Sequence, residues 1–311
     1  MTTVCIDSAR DDHSRRQRLF HGEVLIHPPT ASSLELCAFA RSMLRESFGS
    51  LDPETAQYGL SVLEFAERLA VLKPKFIHHP ESKRLIRAIL AELGCDPDDT
   101  YFDVPRLRSS TSDDYLTTGI AYAFHPHRDT WYSAPMCQVN WWIPVYEIEA
   151  RNAMAFHPRY WDTPVPNSSA GYDYQRWTAT SRFDAARHVG TDTREQPKAL
   201  VPIEAKPDLR LIPPVGGIIL FSAAQLHSSV PNNSGRTRYS IDFRTVSARD
   251  ARALQGAANR DSHCTGTTMP DYLRASDLAH LPQDIQQLYV RGHPQAAELS
   301  AADAVAVRQT A

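Results

Sequence analysis

The segment RYSIDFR at 238–244 constrains the fold most strongly, because polar and large apolar residues alternate along it. Its polar members are Arg238, Ser240, Asp242 and Arg244, and its apolar members are Tyr239, Ile241 and Phe243. Successive side chains of a β-strand point to opposite faces of the sheet. The segment therefore predicts a strand that packs one apolar face and presents one polar face.

Two more segments show the same alternation. In the segment 138–145, Gln138, Asn140 and Trp142 alternate with Val139, Trp141, Ile143 and Val145. In the segment 116–129, the odd positions begin with Gly119, continue with alanines and end with His125, His127 and Asp129. An exposed sheet with one wet face is the usual meaning of alternation. The polar positions here lack solubilising Lys and Glu, so a barrel with a polar interior and helix-covered outer faces fits better.

The periodicity changes from helical to strand-like near residue 100. Helices are predicted at 32–49, 53–72 and 81–94, with a short one near 282–290; strands are predicted at 116–125, 137–148, 152–157, 209–221 and 238–246. We expect one domain over 1–311, with a helical layer at 1–100, a β-rich core at 101–250 and a C-terminal extension at 251–311. The irregular stretch 158–208 is long enough to predict a functional, lid-like insert.

Charge and cysteine content narrow the classes of function. The net charge is −3 and no block of lysine or arginine stands out, which argues against a nucleic-acid partner. The longest apolar run, VGGIILF at 215–221, is too short to cross a membrane. Five scattered cysteines without a CxxC pair and an N-terminus without a secretory signal predict reduced thiols and a cytoplasmic location.

His127 and Asp129 are two residues apart and would project to the same side of an extended chain. His227, at the end of the apolar run 216–226, is the candidate for a third ligand. Two histidines and one carboxylate form the facial triad that holds Fe(II) and leaves positions open for oxygen chemistry. The sequence thus predicts a metal site at His127, Asp129 and His227.

Arg238 follows His227 by eleven residues and shares a strand face with Ser240. A guanidinium and a hydroxyl beside a metal form a suitable clamp for a carboxylate. Arg236 and Arg244 are competitors for this role, and a structural ion pair is the alternative for Arg238 itself.

These residues resemble the Fe(II)/2-oxoglutarate-dependent oxygenases, nearest the phytanoyl-CoA dioxygenase-like branch. The resemblance rests on His127-Arg128-Asp129, on GGIILFSAAQLHSSVPNNS around His227 and on RYS with Arg238, within about residues 115–246. It implies a double-stranded β-helix (jelly-roll) core flanked by N-terminal helices. It also implies Fe(II), 2-oxoglutarate and O2 as cofactor and co-substrates, with 2-oxoglutarate on the metal and its far carboxylate on Arg238 and Ser240.

The implied activity is a dioxygenase that hydroxylates, or otherwise oxidises, an unactivated C–H bond of a small molecule in secondary metabolism. Desaturation, epoxidation and ring closure stay open as outcomes. Asp129 argues against the halogenating variants, in which the carboxylate is replaced. Asn140 and Trp142 would bind 2-oxoglutarate and line its pocket, or else serve as a core amide and a packed ring.

Two other functions stay open. His125 with His127 and His227 would make a cupin-type dioxygenase without 2-oxoglutarate, although we expect His125 to support the site rather than bind the metal. A non-catalytic jelly-roll binding protein is the second alternative.

Aromatic and basic residues flank the expected strand ends. Trp131, Tyr132, Arg159 and Trp161 are candidates for the substrate mouth, with closure of the barrel rim as their alternative role. We expect a polar or acidic small-molecule substrate and no nucleic-acid or membrane partner. The oligomeric state stays open, and a homodimer is one of the alternatives.

Overall fold

The computed structural model describes residues 3–6, 11–182 and 185–293. Seven α-helices lie in these ranges: α1 Asp12–Phe20, α2 Ala31–Phe48, α3 Val62–His78, α4 Pro80–Glu92, α5 Tyr174–Thr180, α6 Ala248–Arg252 and α7 Gln283–Leu288. The same ranges contain eleven strands: β1 Val4–Ile6, β2 Val24–His27, β3 Thr100–Phe102, β4 Arg106–Ser110, β5 Val139–Pro144, β6 Met154–Phe156, β7 Leu209–Arg210, β8 Ile218–Ser222, β9 His227–Ser229, β10 Arg238–Ser247 and β11 Leu273–Arg274. The molecule is rich in sheet and carries a helical layer, as expected.

The helices predicted at 32–49, 81–94 and 282–290 are confirmed as α2, α4 and α7. Helix α2 begins with a capping box in which Thr30 and Ser33 satisfy each other's backbone N–H groups, and it ends at Gly49. These local signals, together with an apolar face, are sufficient to place the helices.

The helix predicted at 53–72 is wrong at both ends. A 3-10 turn occupies Ala56–Tyr58, and α3 starts at Val62 because Ser61 and Glu64 form a capping box. The helix then continues through Pro74 to His78. Proline inside a helix costs about 3 kcal/mol, and the burial of Leu72 and Phe76 on either side of Pro74 offsets that cost.

The strands form two sheets. The larger has the order β1-β2-β8-β5-β10-β3-β11, with β4 also paired to β10, and the smaller has the order β7-β6-β9. Strand β10 is central, since it pairs with β5 on one side and with β4 and β3 on the other. An apolar cluster that includes Trp142, Phe221 and Phe156 joins the larger sheet to β6 of the smaller one.

The alternation in the sequence correctly assigns residues to the two faces of the larger sheet. Trp141, Ile143, Tyr239 and Ile241 belong to the main apolar core, which also contains the buried residues of α2, α3 and α4. The register places Asn140 opposite Arg244 and Trp142 opposite Asp242, so these residues share the other face. The larger sheet therefore has the predicted helix-covered apolar face and an opposite face that carries polar residues.

The strand predicted at 116–125 is wrong. This segment is irregular around a 3-10 turn at Gly119–Ala121. Gly119 has a φ of 56°, and a Cβ there would lie 2.4 Å from the carbonyl oxygen of Ala185. The close approach of another segment, which alternation does not reveal, bends the chain away from a strand.

Other strand predictions are confirmed in part. The runs 137–148 and 152–157 contain β5 and β6, and 238–246 is β10 almost unchanged. The run 209–221 is divided into β7 and β8 by the irregular stretch 211–217, which contains Pro213 and Pro214. Within 158–208 lie α5 and several 3-10 turns.

Two further expectations concern the whole chain. All five cysteines are free thiols, as predicted. No helix in the described ranges has the length and apolar character required to span a bilayer.

Candidate metal centre

The structure brings His127, Asp129 and His227 together. His127 and His227 face each other as an antiparallel bridge, with reciprocal backbone N–H···O bonds of 2.9 and 3.0 Å. Asp129 opens the 3-10 turn Asp129–Tyr132, which follows at once. One potential ligand atom from each of the three lies within 4.8 Å of the others, and this is the metal-ligand group found among the described residues.

The backbone fixes the orientation of both imidazoles. His127 Nδ1 lies 2.8 Å from the carbonyl oxygen of His125, and His227 Nδ1 lies 3.0 Å from that of Gln225. A carbonyl oxygen can only accept, so each Nδ1 carries a proton and Nε2 is the ring atom left to face a metal. The Nε2 atoms lie 3.4 and 3.8 Å from Asp129 Oδ1, so three donor atoms converge on one point.

The protonation states suit a metal ligand set. Burial, and then the neighbouring His127, lower the pKa of His227 to about 4, so this imidazole is neutral near pH 7. Burial alone would raise the pKa of Asp129, but its close polar contact with His127 and the charge of Arg244 outweigh burial and hold that pKa below its usual range. A neutral imidazole and an ionised carboxylate are the forms that bind a divalent metal.

The donor set therefore fits Fe(II). Two imidazoles and one carboxylate from this buried corner correspond to the ligand types of the facial triad. The side chains of His127, Asp129 and His227 are only 7, 13 and 9% exposed, which limits access by water.

The second oxygen of Asp129 has different neighbours. Asp129 Oδ2 accepts hydrogen bonds from Asn140 Nδ2 at 2.9 Å and from Gln138 Nε2 at 3.3 Å. Arg244 Nε lies 3.7 Å from the same oxygen, while Arg244 Nη1 pairs with Asp103 at 3.1 Å. Asp129 is thus held by groups from β5 and β10 on the side away from the histidines.

Arg238 is a buried cation without a carboxylate partner among the described residues. Its Nε has no hydrogen-bond partner there, and its Nη1 donates only a long bond of 3.5 Å to Ser240 Oγ. The guanidinium lies 5.4 Å from the centre of the Trp142 ring. Asp242, which could have paired with it, is engaged with Arg108 at 2.6 Å. Burial lowers the pKa of Arg238 to about 10.

The other two arginines considered for the clamp have partners. Arg236 is 62% exposed in the turn before β10 and lies 3.9 Å from Glu54. Arg244 is paired with Asp103 and Asp129, and their charges raise its pKa although burial opposes them. Arg238 is therefore the one of the three whose charge is buried and unpaired within the described residues.

Trp142 connects the arginine to the triad. Its ring belongs to the same apolar cluster as Phe221, whose ring centre is 4.9 Å from that of His227. Arg238, Trp142, Phe221 and His227 consequently follow one another along the interior face.

The side chain of His125 is exposed and is not part of the ligand group. Its backbone carbonyl is what acts on the site, through His127 Nδ1. This placement does not favour the cupin-type ligand set.

The four candidates for the substrate mouth occupy different places. The Tyr132 ring lies 5.5 Å from that of His127. Trp131 is fully buried and donates its indole N–H to Asp261 at 2.7 Å, and Trp161 packs against Gly22. Arg159 forms an exposed ion pair with Glu204. Only Tyr132 of the four is in contact with a triad residue.

Several residues around the centre were not predicted from the sequence. Phe124 stacks beside His127 at 5.0 Å, and Tyr172 from the 158–208 segment packs on Tyr132 at 5.6 Å. Gln138 shares a strand face with Asn140, and that alternation was the available signal for it. For Tyr172 the sequence offers no comparable signal, because it lies in an irregular segment.

Comparison with known proteins gives limited information. No protein-family model matches the chain. No curated protein matches its sequence.

Several solved structures show weak similarity to this chain. EvdO2 from Micromonospora carbonacea var. aurantiaca is 16% identical, with 78% of this chain and 93% of that chain covered and a TM-score of 0.42. The epimerase SnoN, solved with Fe3+, alpha ketoglutarate and nogalamycin RO, is 16% identical over 76% of this chain and 85% of its own, with a TM-score of 0.39. The non-heme monooxygenase ThoJ is 14% identical over 71% and 72%, with a TM-score of 0.36. Similarity at this level does not assign a function, which has to be inferred from the site itself.

Proposed function

We propose that the protein is a non-haem Fe(II)- and 2-oxoglutarate-dependent dioxygenase that oxidises an unactivated C–H bond of a small molecule. The observation that carries the proposal is the convergence of His127, Asp129 and His227, with both Nε2 atoms directed at Asp129 Oδ1. Each histidine uses Nδ1 on a backbone carbonyl and turns Nε2 toward the same carboxylate oxygen, which is the arrangement expected of ligands that share one metal ion.

The buried charge of Arg238 supports 2-oxoglutarate as the co-substrate. An isolated guanidinium in the interior is costly unless it is paired. A dianionic ligand whose far carboxylate lay on Arg238 and Ser240 would provide the missing partner through charge-assisted hydrogen bonds. Bound iron would supply the oxidising chemistry with O2, while the chain's residues position both substrates and exclude water.

The substrate would enter beside the aromatic residues near the triad. Phe124 and Tyr132 flank His127, and Tyr172 extends this wall into the 158–208 segment. We propose this segment as a lid-like insert in a single domain, and we assign the two sheets to a double-stranded β-helix of the phytanoyl-CoA dioxygenase-like branch. Hydroxylation is the simplest outcome, and desaturation, epoxidation and ring closure are its alternatives at the same centre.

Succinate release from 2-oxoglutarate, measured with Fe(II), ascorbate and O2, tests the proposal. The wild type should turn over 2-oxoglutarate slowly even without its substrate. Asp129→Ala should reduce this turnover at least about 100-fold, since it removes a metal ligand. Asp277→Ala removes an exposed carboxylate paired with Arg274 and serves as the matched control.

Two outcomes would contradict the proposal. Fe(II) binding without any succinate, over a panel of small molecules, would favour a cupin-type enzyme or a binding protein. Equal turnover by the wild type and Asp129→Ala would remove the assigned centre altogether.

A further inference from the structure

The two carboxylate oxygens of Asp129 lie in sharply different surroundings. Oδ1 faces the two histidines at 3.4 and 3.8 Å. Oδ2 faces only hydrogen-bond donors, which are Asn140, Gln138 and, further away, Arg244. A carboxylate partitioned in this way has one oxygen to offer a metal and one that is already saturated by the protein.

The donors to Oδ2 are themselves fixed by a further hydrogen bond. Gln138 Nε2 donates 2.7 Å to Asn140 Oδ1 as well as 3.3 Å to Asp129, so both of its N–H groups are used. Gln138 Oε1 accepts from the hydroxyl of Tyr272 at 2.7 Å. Tyr272 is 1% exposed and stands just before β11, far along the chain from the other three.

The direction of this chain of hydrogen bonds is determined by Asp129. If the Gln138 amide were reversed, its oxygen would face the ionised Oδ2, which repels it. The carboxylate therefore favours the orientation in which Gln138 Nε2 faces Asp129 and Gln138 Oε1 faces Tyr272. The tyrosine hydroxyl stabilises the same orientation by donating to Oε1. Gln138 and Asn140 each accept at the amide oxygen and donate from the amide nitrogen, so the chain of hydrogen bonds runs from Tyr272 to Asp129.

Resting on the proposed function, we propose that Tyr272, Gln138 and Asn140 form a positioning network that restricts Asp129 to binding the metal through Oδ1 alone. Within the described part of the chain Tyr272 has no hydrogen bond to a metal ligand, and it acts through Gln138. The network assigns Asn140 a role in orienting Asp129. It also joins the C-terminal extension to the metal centre, through a residue that no motif of the sequence identifies.

Co(II) binding by the full-length protein provides the test, with calorimetry for affinity and the ligand-field absorption spectrum for coordination. Tyr272→Phe removes a single hydroxyl and should weaken Co(II) binding about 10-fold and alter the spectrum, as loss of an outer contact to a ligand does. Gln138→Met, which removes all three amide hydrogen bonds, should weaken binding by a larger factor, up to about 100-fold.

Tyr289→Phe is the matched control. Tyr289 is also a buried tyrosine, 4% exposed, and its hydroxyl donates 2.8 Å to the carbonyl oxygen of Ala251, away from the centre. It should lower thermal stability as much as Tyr272→Phe does while leaving the Co(II) affinity and spectrum unchanged. That difference separates positioning of the ligand from a general loss of stability.

The outcomes distinguish the network from the metal centre. If Asp129→Ala abolishes Co(II) binding while Tyr272→Phe and Gln138→Met bind and absorb like the wild type, the network is wrong and the centre stands. If Asp129→Ala binds Co(II) as tightly as the wild type, the proposed centre is wrong and the network falls with it.

Discussion

Two buried arginines, Arg128 and Arg238, lie near the metal centre and have opposite surroundings. Arg128 is the middle residue of the His-x-Asp motif and is 1% exposed. Its guanidinium pairs with Asp261 and donates to the backbone carbonyls of Ala224, Tyr160 and Thr163. Arg238 is 9% exposed and has one long hydrogen bond among the described residues.

The difference shows how one residue type serves two purposes. Through these hydrogen bonds Arg128 connects the His-x-Asp motif to three other parts of the chain: the turn before β9, the start of the 158–208 segment and the C-terminal extension. Because its donors are satisfied within the protein, its role is to hold His127 and Asp129 in place. A cation that the protein leaves unsatisfied, such as Arg238, is instead available to a ligand.

Stability measurements should show the largest contrast. Arg128→Met leaves Asp261 ionised and buried without its cation, and should lower the free energy of unfolding by about 3–5 kcal/mol. Arg238→Met removes an unpaired buried charge while its stem still packs on Trp142, and should change stability by less than about 1 kcal/mol or increase it. Urea unfolding of the metal-free proteins measures both.

Arg260→Met is the control for the first variant. Arg260 precedes Asp261, is 38% exposed and pairs with Asp162, so its loss should cost no more than about 1 kcal/mol. If Arg238→Met proved as destabilising as Arg128→Met, Arg238 would be a structural residue and the contrast would fail.

Affinity for 2-oxoglutarate should show the reverse order. Arg238→Met should weaken 2-oxoglutarate binding by at least about 30-fold, or ~2 kcal/mol, since it truncates one side of a buried charge pair. Binding is measured by calorimetry on the Co(II)-loaded protein, whose Co(II) affinity should be unchanged. Arg236→Met, two residues earlier and exposed, should bind 2-oxoglutarate like the wild type. Loss of affinity in Arg236→Met but not in Arg238→Met would move the clamp into the turn.

The same contrast separates what the sequence predicts from what it does not. Alternation along 238–244 was sufficient to place Arg238 and Ser240 on the interior face, and His-x-Asp with a later histidine was sufficient to predict the triad. Those signals are local, because they arise from the strand period and from a short spacing. They place the three converging side chains and the buried Arg238 without knowledge of the fold.

Arg128 and Tyr272 could not be predicted in this way. Arg128 pairs with Asp261, 133 residues later, and Tyr272 bonds to Gln138, 134 residues earlier. Contacts between residues so far apart leave no periodic pattern in the sequence. Taken singly, each of these residues looks like an ordinary core or surface residue. The wrong strand at 116–125 has the same origin, since the backbone of the 185–188 segment, which crosses Gly119, decides its path.

Lys73 is a third cation with limited exposure. It gives the smallest expected effect among the tests of the contrast between paired and unpaired buried cations. Its ammonium donates to Ser109 Oγ and to the carbonyl oxygen of Ile120, both neutral, and no ion pair with a carboxylate is found for it in the described ranges. Burial, and then the charge of Arg108, lower the pKa of Lys73 to about 7. Unlike an arginine, a lysine in this position is able to lose its proton.

Between about pH 7 and 10 an unfolded chain keeps the Lys73 proton that the folded protein has released, so stability should rise with pH. From pH 7 to 8.5, below most cysteine and tyrosine titration, the wild type should gain about 1–2 kcal/mol relative to Lys73→Met. Lys75→Met, which removes an exposed lysine of the same helix, should keep the wild-type slope. Parallel curves for the wild type and Lys73→Met, from urea unfolding at each pH, would mean that Lys73 stays charged. The two neutral acceptors, Ser109 Oγ and the carbonyl oxygen of Ile120, would then be sufficient to stabilise a buried cation that has neither a carboxylate partner nor a ligand to bind.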